Sequence, residues 1–121
     1  MSNPNKALGT GLENRVVERA HKRGIPAAKQ PGSGIFKDYP NDVVVGGYLG
    51  ECKVRSRHPS YIDMQEWLEY AQANAKKARM PGAFLVYNVK GSRMPRVLLD
   101  LDLFLDIVAQ SLDKQNSAGV E

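Results

Sequence analysis

A chain of 121 residues with 17 Lys and Arg against 13 Asp and Glu carries a formal net charge of +4 at pH 7, and 42% of it is hydrophobic. That length suits one domain, and the composition supplies enough apolar material for a core, which excludes wholesale disorder. The polar start Met1-Ser2-Asn3-Pro4-Asn5 contains no apolar run, and the most apolar stretch, Val97 to Ala109, is broken by Asp100, Asp102 and Asp106, so neither a signal peptide nor a membrane span is expected. Cys52, the single cysteine, excludes an internal disulfide and a Cys-rich zinc site and points to a reducing, cytoplasmic setting. Residues 1–96 hold sixteen basic and eight acidic side chains, and residues 97–121 hold one and five. A basic body with an acidic tail suggests a polyanionic partner.

Residues 1–9 are expected to form a loose N-terminal arm. From Thr10 onward Leu12, Val16, Val17 and Ala20 share one helical face, Arg15, Arg19, Lys22 and Arg23 lie off it, and Gly24 stops the helix. Ile25 to Gln30 reads as a short extended segment. The loop Pro31-Gly32-Ser33-Gly34 follows, its glycines open to close approach of another group. Val43-Val44-Val45, Gly46-Gly47 and Tyr48 to Val54 read as a β-hairpin with a two-residue turn. On its return strand Glu51 and Lys53 alternate with Cys52 and Val54, which puts the carboxylate and the ammonium on one face, about 7 Å apart along the chain.

A polar linker with Arg55, Arg57, His58 and Pro59 leads into a helix from Ile62 to Arg79. Its core positions are Met64, Trp67, Leu68, Ala71, Ala75 and Ala78, and Lys76, Lys77 and Arg79 crowd its C-terminal end, where cations suit the helix dipole. Ala83 to Val89 reads as a central strand, Lys90-Gly91-Ser92-Arg93 as a turn, and Arg96 to Leu99 as an edge strand. The last helix takes Asp100 as N-cap and turns Leu101, Phe104, Leu105, Val108 and Leu112 to the core. That leaves Leu103 and Ile107 as an expected dimer surface and residues 115–121 as a loose tail. The order α-β-β-β-α-β-β-α describes an α/β fold, a mixed central β-sheet flanked by helices, in one domain over residues 10–114.

Asp42 opens one strand of the hairpin, Glu51 and Lys53 lie on the other, and Glu13 lies in the first helix. If that helix crosses the hairpin, three carboxylates and one amine converge. Carboxylate oxygens suit Mg²⁺, which keeps several of its waters. Such a set fits metal-assisted phosphodiester cleavage, in which the metal polarises the phosphate and activates a water while the lysine orients that water or offsets developing charge.

Pro40-Asn41-Asp42, followed after eight residues by Glu51-Cys52-Lys53, resembles the PD-(D/E)XK nuclease signature. The chain is similar in particular to the archaeal-type Holliday junction resolvases and their viral relatives. Gly9-Thr10-Gly11-Leu12-Glu13 matches their N-terminal helix, Gly32-Ser33-Gly34 the loop after the first short strand, Tyr61-Ile62 and Gln65 the helix after the E-x-K strand, and Ala83-Phe84-Leu85-Val86 the apolar strand beyond it. The match covers residues 6 to 108, with one departure: Asn41 separates Pro40 from Asp42, so the literal Pro-Asp pair is absent.

The resemblance implies a restriction-endonuclease-like fold. It implies that Asp42 and Glu51, with the backbone carbonyl of Cys52, ligate Mg²⁺, for which Mn²⁺ substitutes, and that Glu13 completes the site directly or through water. Lys53 would serve the attacking water, Ser33 would contact the scissile phosphate or its neighbour, and Gln65 would support the site. It further implies a homodimer that sets two sites across a four-way DNA junction and nicks two strands symmetrically, in an archaeal or virus-infected host cytoplasm, with no nucleotide cofactor.

Plainer roles stand beside these. Thr10 to Glu13 also reads as a capping box, Glu51 and Lys53 as a surface ion pair worth well under ~1 kcal/mol, Ser33 as a turn former, and Gln65 as a solvated helix residue. Cys52 and Trp67 read as core, and His58 as a loop contact to phosphate. Phosphate contacts are expected from Arg15, Arg19, Lys29, Ser33, Lys37, Arg55, Arg57, Lys76, Lys77 and Arg79, which would set affinity without reading bases. The expected function is junction resolution. The alternatives are a nickase, flap or repair nuclease with the same chemistry, or a junction-binding protein without catalysis.

Overall fold

The computed structural model describes residues 4–29 and 42–119, with side chains described over 11–29 and 42–115. The first helix, α1 (Pro4–Lys22), starts upstream of Thr10. Pro4 is tolerated there because the first turn of a helix leaves its N–H groups unpaired in any case. Residues 4–9 therefore belong to the helix and not to an arm, and Thr10 is an interior residue, so the capping-box reading of Glu13 falls. Gly24, at φ 73°, ends the helix in the left-handed region, with the Ile25 N–H donating to the Ala20 carbonyl at 2.9 Å.

Five strands form one sheet in the order β1 (Ala27–Lys29), β2 (Asp42–Val45), β3 (Tyr48–Arg55), β4 (Ala83–Val89), β5 (Arg96–Leu98). Neighbours are antiparallel except β3 and β4, which run parallel. That parallel pair is joined by the crossover helix α2 (Tyr61–Lys77), as parallel neighbours require. Gly46 and Gly47, at φ 58° and 90°, close the β2–β3 hairpin in the left-handed geometry that matches strand twist.

Ser60 caps α2, its Oγ accepting from the Asp63 N–H at 3.1 Å. At the other end Met80 N–H donates to the Ala75 carbonyl and Arg79 N–H to the Lys76 carbonyl. These bonds force Arg79 to φ 58°, a position normally filled by glycine.

The two faces of the sheet follow from strand alternation. On one, Val43, Cys52, Val54 and Val86 pack around Leu12 of α1. On the other, Leu49 and Ala83 meet Ala71 and Ala75 of α2, and Leu85 meets Met64 and Leu68. Gly50 in β3 is a close-approach site: a Cβ there would stand 2.5 Å from the Phe84 ring.

The last helix, α3 (Leu101–Gly119), departs from expectation in length and in orientation. It runs past Lys114, so residues 115–119 continue it. Leu103, assigned above to a dimer surface, is the side chain turned inward. It lies against Gly82, where an added Cβ would come within 3.0 Å of both its methyl groups. With that rotation fixed, the expected core stripe of Leu101, Phe104, Leu105, Val108 and Leu112 faces outward, 37–68% exposed. Asp100 stands before the helix, its carbonyl accepting from Phe104 N–H, while its carboxylate accepts from Gln72 Nε2 at 2.8 Å. Among the described residues no helix is long and apolar enough to cross a membrane.

Candidate active site

Asp42 is the first residue of β2 and stands directly across from Glu51 on β3. Lys53 follows on the same face of β3, the face covered by α2. Three of the expected residues are thus gathered by hairpin register alone. The pairing puts two carboxylates side by side, and Lys53 Nζ closes on Glu51 Oε1 at 3.2 Å. Cys52 points the other way into the core beside Leu12, as the alternation demands. Burial drives its thiol pKa upward and the neighbouring carboxylates add to the rise, so it is an inert thiol and not a nucleophile.

Glu13 reaches the same end of the hairpin from α1. Its carboxyl is nearly fully buried, and burial raises its pKa to about 7, with Lys29 pulling it down and Glu51 pushing it up. Asp42 is shifted upward as well, first by burial and then by Glu51 and Glu13. Desolvation disfavours the charged form of a carboxylate, and like charges nearby add to the cost.

Four oxygens record this cost structurally. Glu13 Oε1, Asp42 Oδ1 and Oδ2, and Glu51 Oε2 are buried without a hydrogen-bond partner. Buried polar atoms are normally satisfied, so these four constitute a strong acceptor set lacking its donor. As they stand, no three carboxylate, imidazole or thiol groups among the described residues are grouped to hold a metal ion. The chemistry of the set nevertheless fits a hard divalent cation held through one or two carboxylates and its own waters. Asp42 and Glu51 are the residues that would hold it, with the Cys52 carbonyl between Glu51 and Lys53 along the backbone.

Gln65 does not join the cluster. It is exposed on α2, and its Nε2 donates to Glu69 Oε1 at 3.2 Å along the same helix. Ser33 and Lys37 lie outside the described residues. His58 turns its Nδ1 to the Pro59 carbonyl at 2.8 Å and its ring edge to Tyr87. The basic residues divide. Arg55 and Arg57 lie at the end of β3 beyond Lys53, and Lys29 lies at the end of β1, near Glu13. Arg15 and Arg19 rim a groove of about 290 Å³ between α1 and the sheet, floored by Val45, Phe84 and Val86. Lys76, Lys77 and Arg79 stand at the far end of α2, beyond the turns packed on Leu49 and Ala83.

One residue of the site was read as core and is more than that. Trp67 of α2 is half-buried against Leu85, Met64 and Leu68, yet its ring also carries Lys53 Nζ at 5.6 Å and the Arg55 guanidinium at 4.9 Å. Helical spacing could place Trp67 on the inner face of α2, but only the docking of α2 over β3 brings the two cations to it. Comparison of the chain with family models, with curated proteins and with solved structures finds no match.

Proposed function

We propose that this protein is a metal-dependent, structure-selective DNA endonuclease that resolves four-way junctions as a homodimer by paired symmetric nicks. The observation that carries this reading is the buried cluster of Glu13, Asp42 and Glu51, whose four unpaired oxygens lie beside a lysine 3.2 Å from Glu51. A structural ion pair needs one carboxylate; a second and a third, buried and raised in pKa, are the arrangement expected of a working site. The restriction-endonuclease-like arrangement belongs to the same proposal, supported by the mixed sheet with α1 on one face and α2 on the other.

Bound at this site, Mg²⁺ supplies charge on the phosphate oxygens and a more acidic water. Asp42 and Glu51 would hold the cation, with the Cys52 carbonyl as a further ligand, and Glu13 would accept a hydrogen bond from one of its waters or bind it directly. Lys53 directs its ammonium at the attacking water and offsets the negative charge that grows on the phosphorus centre. Arg55 and Arg57 beyond Lys53 bind flanking phosphates, which gives affinity without base readout. The outward stripe of α3 supports the homodimer, because a contiguous exposed apolar face of this kind is a protein contact surface. The reducing setting inferred from a lone buried thiol belongs with a cytoplasmic enzyme.

The test is cleavage of a four-way junction beside matched duplex and flap substrates, with Mg²⁺ and with chelator, by the native protein and by Asp42→Asn. Paired symmetric nicks confined to the junction, lost in chelator and in the variant, are expected. Equal cutting of plain duplex would remove junction selectivity, and tight junction binding without any cutting would favour the non-catalytic binder.

A further inference from the structure

We propose that Trp67 is a positioning residue, its indole holding Lys53 and Arg55 side by side so that the two cations meet consecutive phosphates of one DNA strand at the cut. This rests on the nuclease reading above and assigns that site one more residue. Lys53 and Arg55 are two positions apart on β3, hence on one face and about 7 Å apart along the strand. Two long cationic side chains at that separation repel, and each has many rotamers in which to move apart. The negative face of an indole attracts both, and tryptophan is the strongest aromatic partner for a cation.

Both cations are over the ring, at 5.6 and 4.9 Å from its centroid. Arg55 is further tied by Nη1 donating to the Val54 carbonyl at 2.8 Å, and the ring is anchored by the core around Leu85. Glu51 also holds Lys53, but a carboxylate that ligates a divalent cation has less charge to spend on an ammonium. The ring has no such second duty, so it keeps Lys53 in place when Glu51 is engaged elsewhere.

Trp67 is the single tryptophan of the chain, which makes its emission a direct report on these two contacts. In the full-length protein without DNA or metal, Lys53→Met and Arg55→Met are each expected to change the intensity or the maximum of that emission. An unchanged spectrum in both would overturn the proposal. In the Asp42→Asn background, where binding can be followed without cleavage, Trp67→Leu is expected to reduce the slope of log affinity against log salt by about one to two units, as loss of one or two ordered phosphate contacts requires. Trp67→Phe, which keeps a weaker aromatic face, is expected to fall between Trp67→Leu and the parent.

A slope that both variants leave unchanged, with native melting curves, would overturn the positioning role. If Trp67→Leu does not fold, Trp67→Phe decides alone: a partial loss of slope supports the proposal and the parental slope overturns it. Should the native protein cut no DNA, the nuclease reading fails on that result, while the emission and salt measurements still decide whether the ring holds the two cations.

Discussion

The raised pKa of Glu13 has a thermodynamic sign that can be measured. In the unfolded chain this carboxyl releases its proton near 4.5, and in the folded protein near 7. Between those values the folded state holds a proton the unfolded state has lost, so stability from this group is complete below about 4.5 and disappears as pH rises through 7. Thermal melts of the metal-free protein from pH 4.5 to 8 should show that decline, and millimolar Mg²⁺ should reverse it at the upper end by replacing the proton with a cation. With its pKa raised to about 9, the Asp42 carboxyl is still largely protonated at pH 8, so Asp42→Asn should change the stability of the metal-free protein little at that pH and should abolish the gain from Mg²⁺. Arg79 stores a separate cost. Its φ of 58° is unfavourable for a residue with a Cβ, so Arg79→Gly should gain about 1 kcal/mol in a denaturant titration. If Arg79 is also a phosphate ligand, the same variant binds DNA more weakly.

At the scale of elements, what the sequence made legible depended on whether the signal was local. The β2–β3 hairpin was readable residue by residue, because three valines, two glycines and an alternating return strand leave one register, and that register alone sets Asp42 opposite Glu51. The start of α1 was not, since Gly9 and Gly11 lower helix propensity and look like a boundary, whereas the helix passes through both. The orientation of α3 was out of reach for a different reason. Its apolar residues outnumber one face, and which of them turns inward is decided by a socket at Gly82, far away in sequence. The partner of Gln65 was not legible either, because a helix position says nothing about it, and its amide donates to Glu69 one turn on. Gly50 carried no sequence signal at all, yet Gly50→Ala should cost about 1–3 kcal/mol in equilibrium unfolding, its new methyl driven into Phe84 and Val43.

The whole molecule divides into two regions with different surfaces. The carboxylate cluster, Lys53 and the cations of β1, β3 and α1 belong to the body, whereas α3 carries acidic residues and an outward apolar face. If that face joins two copies, Phe104→Glu with Val108→Glu should convert a dimer to a monomer in light scattering without lowering the melting temperature of the body, and an unchanged dimer mass would move the interface elsewhere. The sheet bears on the same question from its margins. The edge strand β5 is only three residues long. So short an edge offers little template for another chain's backbone, so strand-on-strand growth into fibrils is discouraged there. A molecule that exposes six large apolar side chains on one helix is thereby steered toward finite assemblies built from helices, and incubation at high concentration should yield small discrete particles that do not bind thioflavin.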